Sequence, residues 1–248
     1  MAMEYVALAG VGIFAGFMNT LAGGGSLLTL PALMLLGLPA DIANGTNRVA
    51  VLAQSIASAS FFDREGHFDR RGFFPLLLPS LLGALVGATL AARLPADLLR
   101  PILLLAMTLI AMVLLLAPQV LAPANHTTER RPPGVRGFVL FFAIGMYGGF
   151  AQAGVGIFLL AGLGGLLRYD LVTANALKSA LTAAFTGLAL VIFLVADLVH
   201  WIPGLVLAAG MVAGARLAVL FAVRSDSIAL RRLVLLLVLL SCGAAWWR

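Results

Sequence analysis

Apolar runs of about twenty residues recur along this chain, separated by short polar turns, and that recurrence constrains its fold more than any other feature. A helix needs about 20 residues to cross roughly 30 Å of hydrocarbon. A soluble fold would have to hide all these runs in one core. Only 10% of the residues are charged, against about a quarter in soluble domains, so the polar skin for such a core is missing. The chain is read as an integral membrane protein. Aqueous enzymes, nucleic-acid binders and secreted disulfide scaffolds are excluded together.

Ten apolar segments are legible, over about 5–22, 26–38, 43–62, 73–92, 98–116, 137–152, 157–167, 172–196, 201–223 and 228–247. They are too long and too evenly apolar for barrel strands, so the expected fold class is an all-α polytopic membrane protein. The first segment has no basic flank before it and no cleavage signature after it, and is read as a span, not a signal peptide. The single cysteine, Cys242, excludes an internal disulfide, and His67, His126 and His200 lie too far apart to suggest a metal site. No cofactor is expected.

The second and seventh segments are short. If all ten cross, Arg64, Arg70, Arg71, Arg130, Arg131 and Arg136 gather on one side with most of the other loop cations, while Arg93 and Arg100 fall opposite. If the two short segments dip and return, the basic residues divide evenly. The positive-inside rule favours ten crossings with the central linker cytoplasmic.

A constant shift of 131 residues pairs Gly23 with Gly154, Gly25 with Gly156, Asn44 with Asn175, Gly83 with Gly214, Arg93 with Arg224 and Arg100 with Arg231. The chain is therefore read as an N-terminal repeat (1–117), a cytoplasmic linker (118–136) and a C-terminal repeat (137–248). Five crossings per repeat is odd, so the second repeat is inverted. Inverted repeats with interrupted helices are a plan of secondary transporters, whose sites lie at the interruptions.

Short helices cannot reach across the hydrocarbon, and irregular backbone at depth is tolerated only where protein or a wet cavity surrounds it. Gly23-Gly24-Gly25-Ser26 opens the second segment. Backbone N–H groups converging at a helix start suit an anion, and Ser26 is placed to cap that helix or to donate to a ligand. Close helix packing is the competing reading, and it is the one given to Gly12 with Gly16, Gly83 with Gly87, and Gly210 with Gly214. Asn44, Thr46, Asn47 and Arg48 crowd the head of the third segment, and Asn175 and Lys178 the head of the eighth. A cation inside a membrane segment is costly and functional by default, snorkelling being its alternative. Asn19 precedes the first glycine run; Gln152 and Gly154 belong to the second. Gln54, Ser55, Ser58, Thr182 and Thr186 are explained equally well as hydrogen bonds between helices. Arg216 lies well inside the ninth segment.

The run Gly16-Phe17-Met18-Asn19-Thr20-Leu21-Ala22-Gly23-Gly24-Gly25-Ser26, then Pro31, Ala43-Asn44-Gly45-Thr46-Asn47 and Phe62 with Arg64 and Gly66, resembles the sulfite exporter TauE/SafE family. So do Gly148-Gly149-Phe150-Ala151-Gln152-Ala153-Gly154-Val155-Gly156 and Gly214-Ala215-Arg216-Leu217. The resemblance implies a secondary transporter of the bacterial inner membrane, often an exporter, for sulfite, organosulfonates or related anions. It also implies coupling to protons. In this reading Asn19, Asn47 and the glycine-loop N–H groups donate hydrogen bonds to a small anion, and Arg48 and Lys178 supply charge. The family often shows four glycines where this chain has three and Ser26. An anion channel and a transporter of another small organic anion are the rival readings. An intramembrane enzyme is disfavoured because no His accompanies Ser26 or Ser179 at useful spacing.

Overall fold

A computed structural model describes residues 2–116 and 131–224. Among them the secondary structure is all helix, with no strand: α1 Ala2–Ala22, α2 Ser26–Leu35, α3 Ala40–Arg64, α4 Arg70–Arg93, α5 Ala96–Leu116, α6 Gly134–Phe150, α7 Val155–Leu160, α8 Leu171–Val195 and α9 Trp201–Arg224. The all-α expectation holds. The tenth segment, most of the linker and Cys242 lie outside the described residues.

Helices α1, α4, α8 and α9 are long and apolar enough to cross a membrane, while α2 and α6 are shorter apolar helices. Helix α3 has the same 25 residues as α8, but its polar side chains lower its hydropathy. Those side chains, from Asn44 to Ser58, are buried. Large apolar residues instead cover the outside, among them Phe14 on α1, Leu78 and Leu85 on α4, and Leu205 and Leu217 on α9. Polar groups inside and apolar groups outside is the arrangement a hydrocarbon solvent dictates.

The short second and seventh segments are short for different local reasons. Helix α2 carries Pro31 inside its 10 residues and ends before Gly37 at φ +88°. Helix α7 widens after one and a half turns into a π-helix, Ala161–Leu166, which contains Gly162, Gly164 and Gly165; such wide turns are rare and recur at functional sites. Helices α3 and α8 then begin at matching places in the 131-residue register. Pro39 precedes α3, and Asp170 caps α8 by accepting a 2.9 Å bond from the Thr173 N–H.

The contacts fix the helix directions. The end of α1 lies against the second half of α3, through Asn19 with Gln54 and Thr20 with Ser58. Leu33, near the end of α2, clusters with Leu8 and Ala43, near the starts of α1 and α3. Thus α1 and α3 run the same way and α2 returns between them. The start of α9 meets the start of α3, where Thr46 Oγ1 accepts a 2.9 Å bond from the His200 N–H. Phe62, Val219 and Ala222 meet at the other end. Helices α4, α6 and α8 run the opposite way. Arg48 near the start of α3 stacks on Phe193 near the end of α8.

The most extensive pairings are α1 with α9 and α4 with α6. Both are made by small residues. A Cβ at Gly16 would overlap the Met211 backbone and one at Gly214 the Ile13 backbone; Gly83 faces Phe142 and Gly149 faces Ala84 in the same way. Close backbone approach through glycine replaces the hydrophobic drive that lipid-facing helices lack, as expected for Gly12 with Gly16, Gly83 with Gly87, and Gly210 with Gly214.

Candidate functional site

The two glycine runs meet at the centre of the bundle. Gly23 has φ +79° and Gly154 φ +68°, a left-handed conformation that suits glycine. These two positions are 131 residues apart. The Gly23 backbone lies directly against that of Gly156, so that a Cβ on either would overlap the other. The interruptions after α1 and α6 are therefore one structure, not two.

Each interruption leaves a helix C-terminus inside the protein, with carbonyls that carry partial negative charge. Each is met by a cation from the opposite half. Arg48, fully buried on α3, sends its guanidinium to the last three residues of α6. Its NH1 donates to Gly148 O at 3.2 Å and Gln152 Oε1 at 3.0 Å. Its NH2 donates to Gly149 O at 2.6 Å, Phe150 O at 3.2 Å and Asn44 Oδ1 at 3.4 Å. The Phe193 ring covers it at 4.4 Å, and its buried Nε–H has no partner. Lys178, buried on α8, does the reciprocal work: its Nζ donates to Asn19 O at 2.8 Å, Thr20 O at 2.6 Å and Asn175 Oδ1 at 2.7 Å. The Asn175 amide nitrogen is buried without a partner. Neither cation snorkels. Desolvating each charge costs several kcal/mol, and the helix-end oxygens offset that cost.

A small polar cavity lies between the interruptions. Asn19, Gln54 and Ser55 form one wall; Gln152, Val155 and Gly156 form the second; Lys178, Ser179 and Thr182 form the third. About 10 Å³ of it is open to the centre of a water molecule, room for about one water. Asn19 holds its place by donating a 2.6 Å bond to Gln54 Oε1 and accepting one from the Gly25 N–H at 3.3 Å. Gln54 also donates to Thr20 Oγ1 at 2.8 Å and Ser58 Oγ at 2.9 Å. Gln152 has φ +62°, a strained conformation for a residue with a side chain. It is kept there by Arg48 on its Oε1 and by its own 3.0 Å donation to Thr186 Oγ1.

Of the residues singled out from sequence, Asn19, Gln152 and Lys178 thus line the cavity. Gly23 and Gly154 shape the loops beside it. Asn44, Arg48 and Asn175 stand one layer behind. Asn47 lies elsewhere, tying α3 to α2 by accepting from Thr29 Oγ1 at 2.6 Å and donating to Ser26 Oγ at 3.3 Å. Ser26 is not a cap: Gly25, which has no side chain to cap with, occupies the cap position. Thr46 ties α3 to the start of α9 by accepting from the His200 N–H, and Gly24 borders Leu27 and Ile157. Arg216 is exposed on the outer face of α9. Gln54, Ser55, Ser179, Thr182 and Gly156 were not singled out as site residues. The signal for three of them was present: Ser179 follows Lys178, Thr182 is one helical turn on, and Gly156 is the register partner of Gly25.

A model of the sulfite exporter TauE/SafE family matches residues 8–244. The chain is similar to a "probable membrane transporter protein" of Sinorhizobium sp, 30% identical over 82% of this chain and 77% of that protein. It is similar to another of that description, YfcA of Escherichia coli strain K12, at 29% identity over 84% and 76%. A third, from Haemophilus influenzae, is 25% identical over 92% and 88%. No solved structure matches the chain.

Proposed function

Because this chain belongs to the sulfite exporter TauE/SafE family, and so to a family of multi-pass membrane transporters, we propose that it exports small sulfur-containing oxyanions across the bacterial inner membrane by alternating access. Sulfite and organosulfonates are the substrates proposed. The observation that carries this reading is the polar cavity between the two interruptions, lined by Asn19 before the first glycine run, by Gln152 and Gly156 of the second, and by Lys178. The second amide hydrogens of Asn19 and Gln152 and the hydroxyls of Ser55 and Thr182 are the donors this reading assigns to anion oxygens, since both Gln54 amide hydrogens are given to Thr20 and Ser58.

The scaffold in this reading is a pair of inverted repeats, 1–117 and 137–248, joined by a cytoplasmic linker at 118–136, with ten crossings. Three observations support it. Helices α1 and α3 run together with α2 returning between them. Helices α4, α6 and α8 run oppositely. The pairing of α1 with α9 is matched by that of α4 with α6, an exchange of equivalent helices between halves. Room for one water is too little for an oxyanion, so the walls must part to admit one. That favours a carrier that rocks over an open channel.

Proteoliposomes test the proposal. The wild-type chain should show saturable, trans-stimulated sulfite or sulfonate flux, and Lys178→Ala should lower it by more than about tenfold, the loss of one charged contact. Wild-type flux from both Lys178→Ala and Arg48→Ala would remove the site assignment. Unitary conductance steps would replace the carrier with a channel.

A further inference from the structure

We propose that the broken end of α1 is a monovalent-cation site that the chain fills itself, with the Lys178 ammonium standing where a free coupling cation would sit, so that anions cross without sodium or potassium. The site stands on geometry alone; its consequence for transport rests on the reading above. In secondary transporters built from inverted repeats, unwound carbonyls and half-helix C-termini coordinate the coupling cation. Gly23 breaks α1 at φ +79° and leaves such carbonyls inside the protein. Asn19 O, Thr20 O and Asn175 Oδ1 surround one point at 2.8, 2.6 and 2.7 Å, and the Lys178 Nζ occupies it. All three oxygens only accept. Three bonds to acceptors use three N–H groups, which the ammonium has and the neutral amine lacks, so the occupant is a cation.

Asn175 shows that the cradle is shaped for that charge. It turns its oxygen to Lys178 and leaves its buried amide nitrogen without a partner. Its register partner Asn44 has both ends of its amide bonded, the nitrogen to Phe150 O at 2.9 Å and the oxygen to Arg48. The two cations fill their helix ends differently. The Arg48 guanidinium spans five oxygens under the Phe193 ring, a flat arrangement that a single small ion does not reproduce. The Lys178 ammonium is a point charge among three oxygens and borders the cavity, and a small cation reproduces it. Its three protons are all given to the cradle, so an anion in the cavity meets Lys178 through its charge and takes its hydrogen bonds from the amides and hydroxyls around it. That charge is fixed to α8 by covalent bonds and is present whatever ions surround the membrane.

Cation replacement tests this with the full chain in liposomes. Sulfite flux, both net and in exchange, is followed with Na+ and K+ present or with N-methylglucamine as the cation on both sides. Wild-type rates should agree within about twofold, and a larger fall without the alkali cations overturns the internal cation and leaves the transport reading standing. Lys178→Ala vacates the cradle and should lose flux. Propylammonium replaces the atoms removed, and propanol has its size without its charge. At equal ionic strength, propylammonium should raise the thermal midpoint of Lys178→Ala in detergent and raise its flux about tenfold, and propanol should do neither. The same response to both, or a response to neither, overturns the cradle. Absence of sulfite flux in wild type overturns the transport reading, and the thermal midpoints of Lys178→Ala then still decide the cradle. Should Lys178→Ala fail to fold, the wild-type comparison of cations decides.

Discussion

At the scale of single residues, the two buried cations are first of all fasteners. Arg48 ends α6 and Lys178 ends α1, each from the other half of the chain, so each side chain joins the halves at the point where a helix breaks. Removing Arg48 would take its donors from the buried Gly148 and Gly149 carbonyls, while Phe150 O would keep its bond from the Asn44 amide and Gln152 Oε1 its bond from Thr186. Arg48→Met is expected to cost about 3 kcal/mol of stability, read as an earlier midpoint in unfolding by SDS titration. Arg48→Lys should recover less than half of that loss. An ammonium is a point charge and cannot span five acceptors while stacking on Phe193 as a planar guanidinium does. An equal midpoint for wild type and Arg48→Met would mean that these bonds add nothing to the fold. That Arg48 and Lys178 matter was legible in the sequence, because a cation within an apolar segment demands an explanation. That one faces a cavity and the other a helix end was not legible. The difference depends on which way two helix termini point, and no local pattern records that.

At the scale of elements, the contacts repeat with their partners exchanged. Gly214 on α9 faces the carbonyl of Ile13 and the amide of Phe17; Gly83 on α4 faces the carbonyl of Phe142 and the amide of Met146. Each glycine thus meets an oxygen and the nitrogen four residues on, and the two glycines are 131 residues apart. Gly83→Val and Gly214→Val should therefore do similar damage, each forcing a helix pair apart at a cost of about 2 kcal/mol or more. Their SDS midpoints should fall together, within about 1 kcal/mol of each other. A large loss from one and none from the other would break the equivalence of the two helix pairs. The helix boundaries were largely legible because hydropathy and turn residues mark them. The π-helix at Ala161–Leu166 was not, since glycines in a short apolar run read equally well as packing. The polar residues Gln54, Ser55, Ser58, Thr182 and Thr186 read equally well from sequence as site residues and as bonds between helices. Two helices that pack together use such residues to bond each other and to line a cavity, and only their meeting point separates the two uses. The structure divides them: Gln54 does both, and Thr186 holds Gln152.

At the scale of the molecule, helix direction is the property that the proposed alternating access requires, and it follows from the short segments. Had α2 dipped and returned, α3 would run against α1. Instead the Asn19–Gln54 and Thr20–Ser58 bonds place the end of α1 against the later part of α3, so the chain travels back the full distance between residues 22 and 40. The loop after α3 then lies on the same side as the start of α6. Tyr169 bonds Asp69 across that side, and the Arg131 N–H bonds Leu167 O beside it. The turns after α4 and α8 lie on the other side. Exposed positions in each place make this testable. With Cys242→Ser as background, Glu65→Cys and Arg131→Cys should resist an impermeant thiol reagent added to intact spheroplasts and react once the membrane is opened. Asp97→Cys and Ala196→Cys should react from outside at once. Labelling that separates Glu65 from Arg131, or Asp97 from Ala196, would overturn the arrangement of helices. The reverse pattern for all four would keep the arrangement and turn it over, which would place the Arg-rich turns outside, against the bias that the loop charges impose.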